Sequence, residues 1–291
     1  MSVRAAVTRA SLAATVQPVL WRYPVPVQRR VLESTGLAVP VPRDAEVHQV
    51  RLGDRRAERV SVPGVDESRA VLHLHGGAWM TMSPRTHRPM AAHLSRAAGC
   101  PVFVLDQRLA PEHPYPADVD DATAAFDALR VPTALTGDSA GGACALLTAQ
   151  RLRDRARDGR GDRQPTALGL VSPATDFTMR LARAYTGPDA VLSPQWMRQG
   201  RDAYLGTLDP RTVSPLHQEL AGLPPTVVHW VSDERLAPES QALVDALVAA
   251  GVEAEGVRLP GLWHDVHLFA GLVPEGTAAV AALGAWLRAR A

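Results

Sequence analysis

Short apolar runs alternate with helical segments through most of the 291 residues, and that alternation leaves few folds open. Residues 71–74, 102–105, 133–135 and 168–171 each read as a short buried strand. Between them, 87–98, 117–129 and 140–156 carry helical periodicity. Strand and helix in this rhythm specify an α/β chain with a mostly parallel sheet and helices on both faces. The rhythm lapses over 174–222, where a Gly-Pro-Asp turn and a helix-like stretch at 194–205 read as an insertion. It resumes with a strand at 226–231, a helix at 238–250, a strand at 252–259 and a closing helix at 276–290. Upstream, 46–51 and 56–62 alternate as an antiparallel hairpin. Residues 24–42, rich in proline, read as an extended connector. Residues 1–23 read as an amphipathic helix packed on the body, because Gln17 and Pro18 interrupt what would otherwise resemble a weak signal peptide.

Composition narrows the partners. Net charge is +1, so no strong field favours nucleic acid or an anionic membrane. No apolar stretch is long enough to span a bilayer. Lys, Asn and Ile are absent, and all 31 basic residues are Arg; the three missing types share AT-rich codons, which points to a GC-rich genome rather than to function. Cys100 and Cys144, the two cysteines, fall next to or inside apolar segments and read as small buried hydrophobes, not a disulfide. The charged tract at 154–163 reads as a solvated loop.

Chemistry concentrates in two short motifs. Gly137-Asp138-Ser139-Ala140-Gly141-Gly142 follows a strand and opens a helix, the setting of a nucleophile elbow. Such a turn leaves no room for side chains at its flanks and lifts the serine hydroxyl off the sheet. It also aims free helix N–H groups at the same point. Directly after the strand at 71–74 comes His75-Gly76-Gly77-Ala78-Trp79, whose glycines let backbone N–H groups approach a bound oxygen. Together these frame an oxyanion hole from Gly76, Gly77, Ala78 and Ala140, with the N–H groups of Gly77, Ala78 and Ala140 donating, Gly76 shaping the loop and His75 bracing it.

These two motifs, with Leu105-Asp106-Gln107-Arg108-Leu109-Ala110-Pro111-Glu112-His113-Pro114-Tyr115-Pro116-Ala117 between them, resemble the bacterial hormone-sensitive-lipase-like (family IV) esterases from about residue 45 onward. The resemblance implies an α/β-hydrolase fold with a helical cap: residues 1–45 as an N-terminal cap segment and 46–291 as the catalytic domain, with a cap insertion at about 174–222. It implies a serine carboxylesterase for short- to medium-chain acyl esters, needing neither metal nor organic cofactor. Ser139 is the nucleophile. The family's acid loop matches Val231-Ser232-Asp233-Glu234-Arg235, which makes Asp233 the acid, with Glu234 as the alternative. Gly261-Leu262-Trp263-His264-Asp265-Val266-His267 places the base at His264 rather than His267.

Two positions depart from the family pattern: Ala78 stands for a third glycine, and Asp265 follows the histidine where glycine is common. A carboxylate there would raise the base's pKa if it faced the ring. The acid limb of activity is expected at about 5.5 to 7.5. Trp79, Met80, Met82, Trp196, Met197, Tyr204 and Leu205 are candidate pocket walls. The partner is a small acyl ester, without nucleic acid or stable membrane insertion, in the cytoplasm; the sequence leaves a homodimer open. Rival readings are a lactone, amide or acetyl-carbohydrate hydrolase on the same scaffold, or a non-catalytic receptor of the kind that keeps the loop and serine but loses the histidine.

Overall fold

The computed structural model describes residues 1–161 and 163–290. Eight strands form one sheet: β1 (Glu46–Leu52), β2 (Arg55–Ser61), β3 (Ala70–Leu74), β4 (Val102–Leu105), β5 (Thr133–Asp138), β6 (Leu168–Val171), β7 (Thr226–Val231) and β8 (Ala254–Leu259). Their spatial order is β1-β2-β4-β3-β5-β6-β7-β8. β2 runs antiparallel to both its neighbours, β1 and β4, and every pairing from β4 to β8 is parallel. The central strands are buried throughout, as strands covered by helices on both faces must be. The edges differ. β8 has no fully buried residue and carries Glu255 and Arg258, charges that discourage pairing with another chain.

Helices Pro84–Ala98, Ala117–Ala128, Ser139–Arg157, Ala237–Ala249 and Pro274–Arg288 cover the sheet. Their bounds fall close to those read from periodicity. The first begins three residues earlier than expected, with Pro84 in the first turn, where its missing N–H costs no helical bond.

Residues 24–42 are not an extended connector. Val25–Leu37 is a helix, with Pro24 as its N-cap and Pro26 in its first turn, so the prolines start it instead of excluding it. Upstream, residues 3–22 are helical, with a π-helical stretch at Leu12–Val16 in the turn before Pro18. There the Gln17 N–H donates to the Leu12 carbonyl, the wider turn that a following proline favours. Leu12, Val16 and Leu20 are buried along one face.

This N-terminal layer is anchored by polar contacts. The Arg29 guanidinium donates to the carbonyls of Met80 and Ala110 and, in a two-pronged pair, to Glu112. Gln28, fully buried, accepts from the Trp196 indole N–H at 2.9 Å and donates to Gln199, which ties the layer to the helix Pro194–Leu205. No helix among the described residues is long and apolar enough to cross a membrane.

Candidate active site

The site collects at the C-terminal ends of the parallel strands, where loops leave an α/β sheet. Ser139 directly follows β5 and opens a helix, with φ of +53°, a conformation a non-glycine residue adopts only when its surroundings enforce it. Gly141 is what permits the turn: a Cβ there would lie 2.0 Å from the Leu74 carbonyl oxygen. The Ser139 hydroxyl is held 2.9 Å from His264 Nε2, and His264 Nδ1 lies 2.6 Å from Glu234 Oε2. With Nδ1–H donated to the carboxylate, Nε2 is the acceptor for the serine proton.

Of the two carboxyl groups that follow β7, the one that reaches His264 Nδ1 therefore belongs to Glu234, not Asp233. Both follow β7, but they point to opposite sides. Glu234 is fully buried, and its Oε1 accepts from the Val231 N–H and from the Ser172 hydroxyl at the end of β6. The Asp233 side chain is 39% exposed and sits 3.8 Å from Arg9. His267 also stands apart from the serine: its Nε2 faces His229 Nδ1 at 3.1 Å inside the core, and burial and its neighbour lower its pKa well below the ordinary imidazole value.

On the other side of Ser139 lies the loop after β3. Gly77 has φ of +107°, and a Cβ there would meet the Thr81 carbonyl oxygen at 2.3 Å, so only glycine fits. The N–H groups of Gly77 and Ala78 and the first-turn N–H of Ala140 have no protein acceptor among the described residues. Gly76 does not share their role. Its N–H donates to Asp138 Oδ1 at 3.1 Å, so within the expected oxyanion set it shapes the loop and offers no donor.

Asp138 is the centre of a brace that sequence reasoning missed. Its Oδ1 also faces His73 Nε2 at 3.0 Å and His87 Nε2 at 3.1 Å, all fully buried. Burial would raise the Asp138 pKa, but the two imidazoles outweigh it and hold the group well below the carboxylate range. His73, His87 and Asp138 are the only described cluster close enough to hold a metal ion. Both imidazoles, however, spend their Nε2 on the same oxygen that fixes Gly76. The arrangement works as a hydrogen-bonded support for the oxyanion loop. His75 stays neutral, its pKa lowered by burial to about 3, with Nδ1 against its neighbour's carbonyl. His73 on the strand entering the loop and Asp138 beside Ser139 were visible signals, but their pairing was not.

Two cavities meet at Ser139. One is bordered by His264, Asp265, Leu12, Val16, Leu20 and Leu268. The other is bordered by Ala140, Trp79, Phe177, Met197 and Leu236. Trp196 lines both. Of the expected wall residues, Met82 also lines the first cavity, while Met80, Tyr204 and Leu205 are packed in the core. Trp79 stacks on Tyr204 with centroids 4.9 Å apart.

Comparison with known proteins agrees with this geometry. The family described as alpha/beta hydrolase fold matches residues 71–268. An acetyl-hydrolase of Streptomyces hygroscopicus is 35% identical over 249 residues, covering 82% of this chain and 81% of that protein. Among solved structures, a mutant of the esterase E40 superposes with a TM-score of 0.94 at 32% identity, covering 100% of this chain and 99% of that one. An esterase from the bacterial hormone-sensitive lipase family gives 0.90 at 31% identity with the same coverage. The chain belongs to the alpha/beta hydrolase fold family, and within it to the bacterial hormone-sensitive-lipase-like esterases.

Proposed function

We propose that the chain is a serine carboxylesterase for short- to medium-chain acyl esters, working through Ser139, His264 and Glu234. The observation that carries this reading is the continuous relay from the Ser139 hydroxyl through His264 to a buried Glu234 carboxyl, beside three unpaired backbone N–H groups. Ser139 attacks the ester carbonyl while His264 Nε2 takes its proton. Glu234 fixes the tautomer and stabilises the imidazolium. The Gly77, Ala78 and Ala140 N–H groups receive the developing oxyanion. His264 then protonates the departing alkoxide, and water repeats the sequence on the acyl-enzyme. Because the departing oxygen must reach Nε2, the alcohol arm occupies the cavity bordered by His264, and the acyl arm the one bordered by Ala140. The presence of His264 argues against a non-catalytic receptor.

A series of p-nitrophenyl esters of increasing chain length, with lactones and anilides alongside, tests the reading. We expect kcat/KM to peak at short to medium chains and a soluble butyrate ester to outrun emulsified long-chain triglyceride. The opposite order defeats the chain-length assignment. A lactone or anilide exceeding every ester would move the reading to that class.

The pH profile is a second test. Burial alone would lower the His264 pKa, but the negative charges of Asp265 and Glu234 outweigh it and raise it well above the ordinary value of about 6.5. The base works only when neutral, so kcat/KM should rise with pH through one ionisation whose midpoint lies above that of a free imidazole. A midpoint below about 6 would contradict this balance of charge and burial.

A further inference from the structure

Asp265 has no place in the mechanism above, yet it touches the mechanism's central atom. Its Oδ2 lies 3.0 Å from His264 Nε2, the nitrogen that also faces the Ser139 hydroxyl at 2.9 Å. It borders the cavity lined by His264, whose other lining is mostly apolar. It is buried, its φ is +56°, and its Oδ1 has no hydrogen-bond partner among the described residues. This chain holds a carboxyl group in a left-handed turn against the catalytic imidazole.

We propose that Asp265 selects the leaving group: it favours esters whose alcohol part carries a hydroxyl on the carbon next to the ester-bearing one, such as diol and polyol monoesters, over plain alkyl esters. The proposal rests on the ester-hydrolase reading. One imidazole nitrogen cannot serve two partners at once. In the form that accepts the serine proton, Nε2 presents a lone pair, and an ionised Asp265 then faces it acceptor to acceptor. The carboxylate is left buried without a donor, a costly state. A substrate hydroxyl supplies that donor.

The geometry brings it there, since the departing oxygen must come within hydrogen-bond reach of Nε2 to be protonated. A hydroxyl two carbons further along the same arm is then within reach of an oxygen 3.0 Å from that nitrogen. An alkyl arm of the same size leaves the carboxylate unpaired. A site that expects a hydrogen bond rejects the analogue lacking it more strongly than an apolar pocket rejects a change of shape.

The charged and titratable groups around Asp265 are His264 on its own loop, Glu234 after β7, Asp138 at the end of β5, and His87 on the helix behind. Burial, with Asp138 and Glu234 also raising it, brings the Asp265 pKa to about 7 against the opposing pull of His264. Selectivity should therefore be measured on the alkaline side of the acid limb, where the carboxylate is ionised.

The experiment compares 2-hydroxyethyl butyrate with propyl butyrate, whose leaving groups have equal numbers of heavy atoms, by pH-stat titration with wild-type protein, Asp265→Gly and Asp265→Asn. Intrinsic differences between the esters cancel when their kcat/KM ratio is compared across variants. The ratio should favour the hydroxyl ester in the wild type and fall about tenfold or more in Asp265→Gly, the size expected for a hydrogen bond to a charged group. Glycine suits the positive φ, and the nearly isosteric Asp265→Asn should show a smaller fall in the same direction. Asp265→Gly should also move the acid limb to lower pH by removing a charge that stabilises the imidazolium. An equal ratio in all three proteins overturns the proposal even if the limb moves. If the wild type hydrolyses neither ester, the ester-hydrolase reading fails first and takes this one with it.

Discussion

Ser139→Ala protein is expected to lose ester hydrolysis by about 10⁶-fold in kcat while keeping its fold, and His264→Ala to do the same. The two groups act as one unit. The serine hydroxyl is a weak nucleophile until Nε2, 2.9 Å away, removes its proton, and the imidazole has no covalent role of its own. Removing either therefore removes the same step, and the double variant should be no slower than either single one. What remains comes from the backbone donors at Gly77, Ala78 and Ala140, which neither substitution touches.

Stability should change little in Ser139→Ala. Among the described residues the hydroxyl's hydrogen bond is to His264 alone, and the room for the turn comes from Gly141, where a side chain would strike the Leu74 carbonyl, rather than from the serine side chain. His267→Ala is the control. Its imidazole faces His229 in the core, so its loss should be read in the melting temperature and not in turnover. Turnover by a folded Ser139→Ala protein at the wild-type rate would remove Ser139 from the mechanism.

The turn at Ser139 and the loop beside it were legible in the sequence because their constraints are local. A serine between strand and helix needs glycine at the tight flank, and Gly141 shows why: any side chain there would strike the Leu74 carbonyl. The central strands of the sheet were legible because burial on both faces leaves continuous apolar runs. The helix at Val25–Leu37 was not, since its opening prolines looked like breakers. The buried pair Gln28 and Leu32, one turn apart, was the available signal, but a buried glutamine does not read as apolar. The Asp138 brace was missed for a different reason. It joins β3, β5 and the helix Pro84–Ala98, separations of 65 and 51 residues that no local pattern encodes.

The carboxylate that meets His264 is the sharpest case of this kind. Two adjacent carboxylates follow β7, and a strand end does not reveal which of two neighbours turns inward. Ser172 decides it, from the end of β6, by donating to Glu234 at 2.6 Å from a position 62 residues away.

Glu234→Gln should lower kcat by about 10⁴-fold, the scale known for replacing a triad carboxylate by its amide. The amide can still contact His264 Nδ1, but through its nitrogen it favours the tautomer that leaves Nε2 protonated and unable to accept from Ser139. It also carries no charge to stabilise the imidazolium. Asp233→Asn should change kcat by less than about threefold, because a half-exposed carboxylate near Arg9 gains little from its pairing and reaches no reacting atom. The acid limb separates the roles as well. Loss of the Glu234 charge should bring the midpoint of any residual activity down towards or below that of a free imidazole, since burial would then be less opposed. Asp233→Asn should leave the limb in place. Steady-state kinetics of both variants across pH, with circular dichroism to verify folding, provide the measurement. A folded Glu234→Gln protein near wild-type turnover, beside an Asp233→Asn protein reduced by orders of magnitude, would return the acid to Asp233. That result would require the loop after β7 to turn over during catalysis, breaking the Val231 and Ser172 contacts that now hold Glu234 in place.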